Sequence, residues 1–429
     1  MQRQLIVIFL FIHVFAGVHA QRSVLLMNAT VHTGNGQVIQ EGAVGIRNGK
    51  IELVVNALVT NPDLSAYDTV IYVKGKHLYP GFIAPNSTLG LVDIEAVRAT
   101  ADFAEVGNFN PHVRSLIAYN TDSEIIPTVR SNGVLIAQIT PRAGTISGTS
   151  SVMSLYTRNW EDGIVKKDDG VHVNWPDLYR RSWGSSEIQR NPDYLKQKEE
   201  LLKFLKEAEA YQTDKGPEQQ KYLPYEAMNG VFDGKKTLYI HCHMAREIED
   251  VITLKRTNKM LRIVIVGGHD ALYTAAHLKE LNIPVILHRI HDLPFREGED
   301  VDLPFKLPYL LEKEGVLFCL ENSGDMEAMN TRNLPFFAGT AVAYGMEKES
   351  ALTTITLNAA KILGIDHRVG SIEKGKDATL FVSEGDALDM KTNRVVLAFI
   401  GGVQVDLDNH QKALYRKYMK MYDLPAVKE

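Results

Sequence analysis

Residues 237–321 read TLYIHCHMAREIEDVITLKRTNKMLRIVIVGGHDALYTAAHLKELNIPVILHRIHDLPFREGEDVDLPFKLPYLLEKEGVLFCLE. Four short apolar runs stand out: TLYIHC (237–242), RIVIVGG (262–268), PVILHR (284–289) and VLFCLE (316–321). Between them lie helical stretches over about 245–259, 271–281 and 307–314. Strands rich in Ile, Val and Leu without polar alternation are buried on both faces. Strand–helix alternation is the grammar of parallel βα units. Together they predict an α/β fold, a (β/α)₈ barrel.

Upstream, LYPGFIA (78–84) and GVLIAQIT (133–140) supply two further strands, separated by a helix near 123–130. PRAGTISGTSSV (141–152) then reads as a Gly/Ser/Thr-rich loop. The chain ends speak differently. VLLMNATVHTGNGQVI (24–39), GAVGIRNGKIELVV (42–55) and DTVIYVKGKHLYPG (68–81) alternate apolar and polar residues between Gly and Asn turns. VGSIEKGKDATLFVSE (369–384) and NRVVLAFIGGVQVD (393–406) repeat that grammar, before an amphipathic helix over 409–422. The two ends are expected to form one small β-sandwich, from residues 21–79 and 366–429, around a barrel of residues 80–365. An insertion at about 158–215 breaks the barrel rhythm. It holds three Trp and a charged helix with Leu195, Leu201, Leu202 and Leu205 on one face.

The first twenty residues are a secretory leader by composition. Arg3 is the positive end, Leu5 to Ala16 the apolar run, and Val18-His19-Ala20 the small-residue cleavage site. An uncleaved anchor is the alternative, although the run is short for a span of about 20 residues. The mature protein is therefore expected in the periplasm or outside the cell, with no stable membrane span. A net charge of −5 gives no footprint for nucleic acid or for an anionic membrane. The expected partner is a small-molecule substrate or ligand, and a homo-oligomer is left open. Cys242 and Cys319 lie in apolar strand-like runs and read as buried free thiols rather than a disulfide. Asn28 and Asn86 begin glycosylation sequons, which matter only in a eukaryotic secretory pathway.

Several pieces together resemble one family: NATVHTGNG (28–36), IRNGKIELVV (46–55), LYPGFIAPNSTLGL (78–91), YIHCH (239–243), RNLPFFAGTAVAYGM (332–346), ALTTITLNAAKILGI (351–365) and VGSIEKGKDATLFV (369–382). The chain is similar to the amidohydrolase superfamily, in its imidazolonepropionase-like and dipeptidase-like branch. That resemblance implies hydrolysis of carbon–nitrogen bonds by one or two divalent metals at the C-terminal mouth of the barrel. A metal lowers the pKa of bound water to about 7 and a carboxylate takes its proton.

The resemblance breaks at its strongest motif. The family follows PGFI with Asp, one residue, then His-x-His; here Ala84, Asn86 and Thr88 stand in those places. Amide and hydroxyl oxygens replace imidazole poorly on zinc. A reduced site with a single divalent metal, one zinc, is therefore expected. His241 aligns with the family's ligand, and His243 lies on the same side by strand alternation. Ordinary hydrogen bonds near a strand end are the alternative for both. Gly267 falls in the next ligand position; His269, two residues on, either reaches the mouth or caps the following helix. Asp325 matches the strand-eight aspartate, as proton acceptor and ligand, or else is a helix N-cap. Asn86, Thr88 and Arg332 are the substrate-binding candidates, with a salt bridge as the other reading of Arg332. His288 and His291 read as surface-loop histidines. The leading function is an exported hydrolase of carbon–nitrogen bonds. The alternative is a non-catalytic small-molecule-binding relative without the metal site, and a third reading is a scaffold using the Trp-bearing insertion.

Overall fold

Eight strands from the middle of the chain form one sheet that curls towards closure. We number them β1 (Phe82–Ser87), β2 (Val134–Ile139), β3 (Ile146–Ser154), β4 (Ile164–Asn174), β5 (Thr237–Cys242), β6 (Arg262–Gly267), β7 (Val285–Leu287) and β8 (Phe318–Leu320). They neighbour one another in chain order. The computed structural model describes residues 23–181, 188–213, 220–324 and 326–425; the leader expected at 1–20 lies outside them.

Parallel pairing links β1 to β2 and runs from β4 to β8. The β3 strand is antiparallel to both neighbours. It is the stretch expected from sequence to be a loop. Its residues are buried from Ile146 to Met153, and hydroxyls among them find acceptors: Thr149 donates to Pro111 O (2.8 Å) and Ser150 to Asp169 (2.7 Å). Satisfied hydroxyls let a Ser/Thr run sit inside a sheet. The turn from β2 is also too short for a parallel crossover. No backbone ladder joins β8 to β1 among the described residues; the seam is spanned by the side chains of Asn86 and Glu321 (2.6 Å).

Strand parity sorts the core. Ile83, Ile136, Val152, Tyr239, Val264, Ile286 and Cys319 fill the barrel interior, plugged from below by Ala359, Ile362 and Leu363. Leu238, Ile240 and Cys242 point outwards to the surrounding helices. The two cysteines thus face opposite sides of the sheet, and both are free. On the interior face, the next layer towards the mouth is polar: Gln138, His172 and His241.

Both chain ends build a second eight-stranded sheet. Its seam is the antiparallel pairing of His77–Pro80 with Leu380–Ser383. The strand Val24–His32 bends at two bulges, pairing first with Thr69–Tyr72 and then with His77–Leu78. The small sandwich expected from both chain ends is thus built from one bent sheet, with Leu26 and Val44 from one end sharing a core with Leu380 and Phe399 from the other. The expected insertion also starts later than its composition implied, because β4 lies inside its first part. After β4 come a hairpin, Tyr179–Arg181 with Ile188–Arg190, and the helix Tyr194–Thr213. Leu201 and Leu205 bury on that helix, whereas Leu195 is 62% exposed. No described helix is long and apolar enough to cross a membrane.

Candidate active site at the barrel mouth

The C-terminal strand ends converge on a buried polar network centred on Asn86 and Glu321. Asn86 ends β1 in the left-handed region (φ 49°), which Asn tolerates better than most residues. Its backbone N–H donates to Gln138 Oε1 (3.0 Å) and its amide to Glu321 Oε2 (2.6 Å). Arg142 closes the other side, donating to Asn86 Oδ1 (2.9 Å) and O (2.8 Å) and to Glu327 (2.9 Å). Glu321 follows β8 directly and is 1% exposed. Its Oε1 accepts from Ser323 and lies 3.4 Å from His288 Nδ1.

His288 follows β7, and its other nitrogen meets Asp292 at 3.3 Å. Burial opposes protonation of this ring, but the Glu321 and Asp292 carboxylates outweigh it and raise its pKa. The His243 ring lies at right angles to it, centroids 5.6 Å apart, and stacks on Phe295. Burial chiefly, helped by the charge of His288, pushes His243 down to about 4. Its Nδ1 is enclosed without a partner. His241 pairs instead with His172, Nε2 to Nδ1 at 2.9 Å. Burial first, then Arg142, drives His241 down to about 3. Burial likewise holds His172 well below 6.5, so three neutral histidines and one favouring its charge share this network.

Beside this network opens a cavity of about 550 Å³. His288, His269 and Phe295 line it from the barrel, Arg289 from the β7 loop, and Tyr179 and Ile188 from the inserted hairpin.

Among the described residues His241, His243 and His269 do not come together as one ligand group, and Asp325 lies outside those residues. His241 is held by His172. The His243 ring occupies the space of the family's next ligand: a Cβ on Gly267 would lie 2.6 Å from His243 Cε1. His269, Asp270 and Glu299 are the one group of three potential ligands among the described residues. Arg296 already occupies it, donating to Asp270 (3.0 Å) and Glu299 (2.8 Å), so both carboxylates share one cationic partner. Among the described residues this mouth offers a divalent cation no three donors free of other partners.

Other candidates fall as follows. Thr88 is buried with its hydroxyl unpartnered. The Arg332 guanidinium turns to Met329 Sδ (3.7 Å), away from the cavity. Asp325 lies outside the described residues. His291 bonds Thr340 (2.6 Å), but His288, expected on a surface loop, belongs to the site. Sequence reading missed Glu321, Arg142, Gln138 and His172. Glu321 carried a readable signal, as the first charged residue after an apolar strand.

A model of the amidohydrolase family matches residues 206–405. The crystal structure of an amidohydrolase from Thermotoga maritima MSB8 superposes with a TM-score of 0.78 at 28% identity, covering 89% of this chain and 99% of that one. Amidohydrolase tasK of Hapsidospora irregularis is 21% identical over 385 residues, 79% of this chain and 37% of the relative. Imidazolonepropionase of Thermoplasma volcanium is 39% identical over 66 residues, 15% of this chain and 16% of its own. The chain thus spans well under half the length of either curated relative. Sequence match, barrel and end-built sheet bear out the resemblance of this chain to the amidohydrolase superfamily.

Proposed function

We propose that the chain is an exported hydrolase that cleaves a carbon–nitrogen bond of a small molecule bound in the mouth cavity. The observation that carries this is the clamp of His288 between Glu321 and Asp292 on the cavity wall. Two carboxylates favour the imidazolium, which can donate a proton to a leaving nitrogen. Neutral His243, whose ring lies beside it, can accept one from water. Neighbouring groups with pKa values pushed apart are the usual basis of paired acid and base roles. Arg180 and Arg289 line the same cavity and suit a carboxylate on the substrate. Export rests on residues 1–20.

The family generally uses divalent metals, but among the described residues the candidate donors are already engaged by Arg296 and His172, so no step is assigned to a metal. The test is a panel of cyclic amides and dipeptides given to mature protein with and without chelator. Turnover insensitive to chelator, lowered at least about a hundredfold in Glu321→Gln, is expected. Undiminished turnover in that variant would sink the clamp's role, and loss on chelation with recovery on added zinc would sink the metal-free route. A binding protein without turnover is the second reading. It is favoured by Asn86, Arg142 and Glu321 being locked to one another. Saturable binding of a panel compound with no product would establish it.

A further inference from the structure

We infer that the opposite end of the barrel carries a second site, for a small organic anion with an apolar body. A cavity of about 480 Å³ opens below β6, β7 and β8, at their N-terminal ends. Lys255, Arg262, Lys279 and Lys361 line it, and none of its lining residues is acidic. Its floor is apolar, with Leu278, Ile283 and Ile362 each buried to within 2%.

The cations are held in different ways. The Lys255 ammonium donates to the carbonyls of Lys259 (2.8 Å) and Leu261 (2.6 Å), which fixes it at the wall. Arg262 reaches the carbonyl of Ile362 (3.2 Å). Carbonyls orient these groups without cancelling their charge. Lys279 packs over Gly315 in the cavity wall, where a Cβ would lie 2.9 Å from its Nζ. Glu280, the acid beside Lys279 in the chain, faces Arg256 at 3.6 Å instead. Four like charges around one concavity repel one another and create a positive potential that an anion relieves. Burial also lowers the Lys255 pKa, a cost that a bound anion offsets. An oxyanion head among the cations and an aryl or alkyl body on the floor match both halves of the lining. This site is independent of the mouth and of the hydrolase proposal.

The test uses phenyl phosphate as the probe, with phenol and inorganic phosphate as its two halves, on mature full-length protein by calorimetry at constant ionic strength. Saturable binding of phenyl phosphate is expected, with each half at least about tenfold weaker, roughly 1.4 kcal/mol. Lys279→Glu with Lys361→Glu should weaken phenyl phosphate by at least that factor. These exposed lysines can change without disturbing the fold, which an unchanged thermal transition verifies. Lys391→Glu, on a surface loop outside the cavity, should bind as the unsubstituted protein does. Equal affinity in the double variant, or phenol binding as tightly as phenyl phosphate, overturns the proposal.

Discussion

Substituting Gly267 by Ala tests the replacement of a metal ligand by a histidine ring. Gly267 sits at φ 102°, where an L side chain is strained by about 1–3 kcal/mol. The added Cβ would meet His243 Cε1 at 2.6 Å and both ring nitrogens at 2.9 Å. Overpacking of that kind costs a further ~1–3 kcal/mol. The expected total is about 2–6 kcal/mol, less if His243 can swing out and abandon its stack on Phe295. Gly36 separates the two terms, since it has φ 93° but nothing within 4 Å of a built Cβ. Urea unfolding of Gly267→Ala and Gly36→Ala, read at matched slope, gives the packing term as their difference. Turnover and the His243 ring resonances should change in the first variant alone. Equal destabilisation within about 0.5 kcal/mol, with His243 unmoved, would refute the claim that this ring fills the ligand's place. Gly267→His should fail to recruit zinc for the same steric reason.

Other outcomes follow from the same network. His241 and His243 titrate below their ordinary value of 6.5, so the stability they confer is full above that pH and lost as pH falls towards 4. The urea midpoint should drop across that window by an amount worth on the order of 3 kcal/mol for each of the two rings. His288 has the opposite sign: its contribution is present below 6.5 and lost as pH rises through its raised pKa. A flat midpoint from pH 7 to 4 would contradict these assignments. If His243 is the base and His288 the acid, kcat/KM should rise through about pH 4 and fall on the alkaline side above 6.5; a single limb would remove one of the roles. Asn86→Ala loses the 2.6 Å bond to Glu321 and the Arg142 contact at a positive φ. It should cost about 2–4 kcal/mol by unfolding assay, and a cost under about 0.5 kcal/mol would show the seam to be passive.

The alternation of apolar strands and helices between Thr237 and Leu320 determined the barrel, because burial on both faces leaves a local pattern in the sequence. The Gly- and Asn-punctuated ends likewise announced their strands, and the two cysteines announced free thiols. β3 escaped notice because Ser, Thr and Gly are loop residues unless their hydroxyls are satisfied, and their acceptors at Pro111 and Asp169 are brought in by other segments. β4 was hidden for a related reason, since His172 and Asn174 face a polar interior rather than an apolar one. At the site, family spacing pointed to His241 and His243 as partners. Which atoms meet was decided by side-chain direction: His241 turns to His172, and His243 lies over Gly267 against His288. Glu321 became central because the sheet's two edge strands, separated by more than two hundred residues, end side by side. Periodicity is written locally along the chain, whereas the pairing of a carboxylate with an amide across a seam exists only once the sheet has curled.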